Sequence, residues 1–295
     1  MIDTVQQLKL LLLTKRITTM NLWKSFIFSV CFTSLFYSFY THANLLISPT
    51  RIAFDERQRV AQVVVINNSK EYKTYRLAWE EKIAKPEGGY TRLEEGIAHP
   101  TALSNMVRMS PSQVRLAPGE RQIVKLVLRR PQNLAEQEYR SHLLFQALPN
   151  ENKKATQAIG IKIDLILSYS IPVLLRQGSK LPEVDIKSIA LSNDQGKKSL
   201  HVSMQRKGEY STFGNIEAFY KANNSDKEVK VAMVGSLSIY PEVLQQELTL
   251  NFFENNAITG PGKLRIVYTG LKEYRNTIFA EKTVSINTNS VGLLN

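Results

Sequence analysis

The chain has 295 residues, 43% of them hydrophobic and 22% charged, with a formal net charge of +12 and one cysteine, Cys31. That length points to one or two domains, and a lone cysteine excludes an internal disulfide and a zinc site built on paired thiolates. Lysines and arginines are spread without a long block, so the basic excess reads as a solvated surface and no nucleic-acid partner is expected.

Met20-Asn21-Leu22-Trp23-Lys24 gives a short basic start, residues 26–40 an apolar run, and Thr41-His42-Ala43 a small-residue cleavage site before Asn44. That is the order of a secretory signal peptide. The apolar run is broken by serines and a threonine and falls short of the roughly 20 residues that span a bilayer. Residues 1–43 are therefore expected to be a cleaved signal segment, with 1–19 as an upstream extension if translation starts at Met20. Cleavage removes Cys31, so the exported chain must be stabilised by packed cores alone.

From Leu45 onward, short alternating runs follow one another. Residues 45–54 hold a single arginine, Arg51. Residues 61–66 run apolar into Asn67-Asn68-Ser69, and residues 72–80 place Tyr75, Leu77 and Trp79 on one face. Pro86-Glu87-Gly88-Gly89 is a turn before residues 90–93. Residues 114–116 precede the turn Ala117-Pro118-Gly119-Glu120, and residues 123–128 continue as a strand. Residues 139–148 and 159–175 complete this set, with a short helical turn expected over 133–138. Residues 172–182 read as a hinge. Beyond it come strand candidates at 184–191, 200–205, 214–221, 230–238, 247–252, 262–268 and 278–286. Close-spaced short strands with Pro and Gly turns predict antiparallel sandwiches. The expected fold is all-β, two immunoglobulin-like sandwiches in tandem, at 44–178 and 179–295.

No catalytic constellation emerges, so an enzyme is not expected. His42, His99, His142 and His201 are not at metal-ligand spacing, and no Gly-x-Ser-x-Gly elbow occurs. Gly196-Lys197-Lys198-Ser199 and Gly260-Pro261-Gly262-Lys263 lack the spacing and helix of a phosphate loop and read as hairpin turns. No catalytic residue, metal or cofactor is expected.

Residues 159–175 form an unusually long run. Ile159, Ile161, Ile163, Leu165 and Leu167 share one face, while Gly160, Lys162 and Asp164 begin the other. Two readings fit: a strand half buried in its own sandwich, or an edge strand whose alternate side chains are lent to another protein.

The segments LLISPTRIAF, VAQVVVINN, TYRLAWE, SPSQVRLAPGERQIVKLVLRR and YRSHLLFQALP, in this order from Leu45 to Pro149, resemble the PapD-like periplasmic chaperones of fimbrial subunits. The resemblance implies a soluble, periplasmic, cofactor-free chaperone with a cleft between its sandwiches. It would bind fimbrial or pilin subunits by donor-strand complementation through Ile159, Ile161, Ile163, Leu165 and Leu167. Delivery would be to an outer-membrane usher-type assembly protein. It also implies that Arg51 anchors the subunit's C-terminal carboxylate, for which a planar guanidinium fork is suited. The family's second anchoring lysine falls here on Leu167 or Ser168, and the arginine of its Tyr-Arg-Pro becomes Ile171. The alternative reading is a secreted tandem-sandwich adhesion or binding module. A free edge strand also invites self-association between copies.

Overall fold

A computed structural model describes residues 45–94, 96–149, 167–254, 257–287 and 292–294. The first strands are β1 (Leu45–Ser48), β2 (Ile52–Phe54), β3 (Val60–Asn67), β4 (Lys73–Glu80), β5 (Lys82–Ala84), β6 (Tyr90–Arg92), β7 (Val107–Ser110), β8 (Gln113–Leu116), β9 (Arg121–Leu128), β10 (Glu138–Leu148) and β11 (Tyr169–Arg176). They form a four-stranded sheet in the order β1-β3-β9-β7, a five-stranded sheet in the order β2-β11-β10-β4-β8, and a separate β5–β6 hairpin.

The alternation of β3 and β9 builds the core between these sheets. Ala61 and Val63 point inward opposite Leu126 and Val124, Val65 and Leu128 continue the two inward faces, and intervening residues are exposed or half-buried. Phe54, Tyr75, Leu143, Phe145, Val173 and Leu175 close the core from the five-stranded sheet. Trp79 is half-buried against it.

The run at 45–54, read as one strand, is two. β1 pairs with β3 in one sheet, whereas β2 pairs in parallel with β11 in the other. Pro49 lies between them, and with no N–H to donate it cannot continue a ladder. The chain therefore changes sheets at Pro49-Thr50-Arg51. The expected helical turn at 133–138 is a turn and bend, with Asn133 in the left-handed region at φ 57°. Helical turns among the described residues are 3-10, at Ser104–Met106 and Lys272–Tyr274.

The second set is β12 (Glu183–Asp194), β13 (Lys197–Lys207), β14 (Gly214–Ala222), β15 (Val229–Leu237), β16 (Gln245–Asn251), β17 (Gly262–Gly270), β18 (Ile278–Ile286) and β19 (Gly292–Leu294). Two four-stranded sheets result, β16-β13-β12-β19 and β15-β14-β17-β18. Ile189, Val202, Met204, Ile216, Leu250 and Ile266 fill a second core between them. All seven strand candidates of this half are present.

Candidate functional site: a buried arginine between the sandwiches

β10 shows why the two sandwiches meet where they do. Its inward residues Tyr139, Leu143 and Phe145 join the first core, but its alternate residues Glu138, Arg140 and His142 are also buried. A strand buried on both faces must have a second partner, and here it is the second sandwich together with the β5–β6 hairpin. Glu138 Oε2 accepts bonds from Ser211 N (3.1 Å) and Ser211 Oγ (2.6 Å). Arg140 forms an ion pair with Glu242, lies 3.9 Å over the Tyr240 ring and donates to Lys82 O (2.9 Å). Tyr90 packs edge-on to His142 at 4.8 Å and shares a hydroxyl bond with Tyr240.

Burial sets the electrostatics of this seam. It pushes the Glu138 carboxyl above its ordinary value, against the Ser211 bonds and the charges of Arg51 and Arg140. It also raises Glu242, but the Arg140 bonds and charge outweigh it and hold that carboxylate below the usual range. His142 is lowered to about 3, mainly by burial and then by Arg140, Lys82 and His99.

Arg51 stands where the chain changes sheets, next to β2 and Pro172 of β11, and is 5% exposed. Its Nη1 forms an ion pair with Glu273 of the Lys272–Tyr274 turn, and its Cζ lies 4.5 Å over the Phe213 ring. Lys272 Nζ approaches the same ring at 5.6 Å. Burial opposes the charge on Arg51, but Glu273, Tyr240 and Glu138 outweigh it and keep the guanidinium protonated. Nε and Nη2 have no hydrogen-bond partner among the described residues and are buried from solvent. These two nitrogens form the edge that can hold a carboxylate with two parallel bonds. Leaving such donors unbonded is costly, about 1–3 kcal/mol for each buried group.

Two hollows flank Arg51. One, of about 730 Å³, is lined by Arg51, Asp55, Glu56, Arg176, Lys272 and Glu273 among others. The other, of about 360 Å³, lies between the sandwiches against Thr50, Tyr90, Pro172, Phe213 and Tyr240.

Ile159, Ile161, Ile163 and Leu165 lie outside the described residues. Leu167, the last of that set, is 44% exposed and lies two residues before β11. β11 pairs with β10 along its whole length, but with β2 only at Val173, Leu174 and Leu175. Its start, from Tyr169 to Pro172, therefore has an open edge among the described residues. Leu167 and Ser168 bring no cation to this end, but a lysine arrives from elsewhere: Lys82 of β5 places Nζ 3.1 Å from Ser170 Oγ and 2.8 Å from Glu80 Oε2. Glu138, Arg140, Phe213 and Glu273 were not singled out in the sequence. The Glu-x-Arg-x-His spacing of β10, three ionisable side chains on one strand face, was the available signal.

Residues 44–177 match the family of pili and flagellar-assembly chaperones, PapD N-terminal domain. The first sandwich therefore matches a PapD N-terminal domain. No curated protein sequence matches it. Among solved structures it is similar to a chain of the Salmonella enterica SafA pilin–SafB chaperone complex, with 9% identity over 84% of this chain and 99% of that one, TM-score 0.43. It is also similar to the class 5 fimbriae chaperone CfaA, with 16% identity over 82% and 98%, TM-score 0.42. For the Pseudomonas aeruginosa CupB2 chaperone the identity is 10% over 81% and 98%, TM-score 0.39.

Proposed function

We propose that this protein is a PapD-like chaperone that works in the periplasm, where it binds pilin-like subunits, completes their open sandwiches with a lent strand and passes them to an outer-membrane usher. Ile159, Ile161, Ile163, Leu165 and Leu167 are the strand's lent side chains, and Arg51 holds the subunit's C-terminal carboxylate. The two working domains are residues 44–178 and 179–295, after a signal segment at 1–43. The observation that carries the anchoring role is the unpartnered Nε/Nη2 edge of a buried arginine. The open start of β11 supports the strand role, because added backbone needs free N–H and C=O groups along an edge.

The test is periplasmic co-expression with a pilin-like subunit encoded beside this gene, comparing wild type with Arg51→Glu. Wild type is expected to yield a soluble one-to-one complex, and the charge reversal to lose it. A subunit held equally by both would remove Arg51 from the mechanism. No complex with either, with the protein found at the cell surface, would favour the adhesion module instead.

A further inference from the structure

Arg51, Glu138 and Arg140 are buried charged side chains of the first sandwich tied across this seam, and they are not equally satisfied. Arg140 spends both terminal nitrogens on Glu242 and adds a bond to Lys82 O. Glu138 takes two bonds from Ser211 on Oε2, while its Oε1 has no partner among the described residues. Arg51, by contrast, gives Glu273 one nitrogen and leaves two unbonded. Glu273 is also the exposed member of its pair, at 22% against 4% for Arg51, and it rides on a single 3-10 turn rather than a strand. The Arg51–Glu273 tie is thus the one that leaves an edge for a second carboxylate. A chain end that took the Nε/Nη2 edge would make two parallel charge-assisted bonds beside the single one to Glu273.

We infer that Glu273 is the internal competitor for the Arg51 charge, a side-chain carboxylate on Nη1 that weakens the hold of the Nε/Nη2 edge on the subunit's chain-end carboxylate; this rests on the anchoring role proposed above. Glu273 thereby sets the affinity of the anchor and keeps it within reach of release. A carboxylate on Arg51 weakens one tie of the Lys272–Tyr274 turn to the first sandwich, another being Arg176 4.7 Å over the Tyr274 ring, so subunit binding is felt in the second. Lys272, over the same Phe213 ring, is the nearby cation for Glu273. Tyr240 and Glu138 also act electrostatically on Arg51, but both are committed elsewhere in the seam.

The experiment measures binding of the pilin-like subunit in two forms, with a free C-terminal carboxylate and with a C-terminal amide. It compares wild type, Arg51→Ala, Glu273→Gln and Glu273→Asp, each checked for folding by its melting curve. Wild type should prefer the carboxylate form, Arg51→Ala should lose the preference, and Glu273→Gln should bind the carboxylate form about tenfold more tightly. That is the share of one charge-assisted bond, about 1.4 kcal/mol. Glu273→Asp, whose shorter arm withdraws the carboxylate, should move the same way by less and decides the matter if the Gln variant does not fold. Unchanged or weaker binding in the Glu273 variants, with the preference intact in wild type and lost in Arg51→Ala, overturns the inference alone. No preference in wild type overturns the anchoring role and this inference together.

Discussion

His142 gives the seam a measurable pH dependence. Its ring is buried, both nitrogens lack a hydrogen-bond partner among the described residues, and Tyr90 covers it edge-on. Burial, with Arg140, Lys82 and His99 adding repulsion, lowers its pKa from 6.5 to about 3. A depressed folded value means that the unfolded chain takes up the proton first. The stability attached to a neutral His142 is therefore fully present above pH 6.5 and is lost as the pH falls toward 3. At pH 5 the unfolded histidine is almost wholly protonated and the folded one almost wholly neutral, which amounts to about 2 kcal/mol lost relative to pH 8. That figure hardly changes if the folded value is a unit higher, because the unfolded pKa sets it. Urea unfolding of wild type and His142→Phe at the two pH values isolates the contribution, since all other titrating groups are shared. Wild type should lose roughly 1 M more in midpoint than the variant, at a slope of about 2 kcal/mol per M. Equal losses, or an imidazole resonance of the folded protein that titrates near 6.5, would refute the reasoning.

Glu242→Gln leaves the Arg140 guanidinium, 3% exposed, without its counter-charge, and should cost about 3 kcal/mol in denaturant titrations. Replacing both partners by methionine should return most of it, because no charge is then left buried. Gly214→Ala places a Cβ 2.2 Å from Thr269 O and 2.9 Å from a Tyr268 ring carbon. The main chain there is tied in the β14–β17 ladder, so the melting curve should show a loss of about 1–3 kcal/mol. An unchanged melting curve would mean that the ladder yields at this point.

The strands were legible because period-two alternation is local. Val63 and Val65, or Val202 and Met204, announce an inward face within a few residues. The turn chemistry was equally local: Gly119, at φ 75°, closes the Ala117–Glu120 turn that the Pro-Gly pair announces. The family resemblance was carried by the same segments, in the half that the PapD N-terminal domain matches.

What the alternation could not say is whether an outward face meets water. Glu138, Arg140 and His142 follow the pattern of a solvated strand face, and only the docking of the second sandwich and the β5–β6 hairpin buries them. The same holds for Arg51. Its sequence neighbours mark it as one arginine in a strand-like run, while its carboxylate partner lies 222 residues away on a turn with no sequence signature of its own. Pairing across that distance is decided by which two surfaces lose water together. The sequence by itself determined two sets of strands and an arginine beside the first of them. Tertiary structure alone decided that the arginine would be buried, with one nitrogen paired and two unbonded.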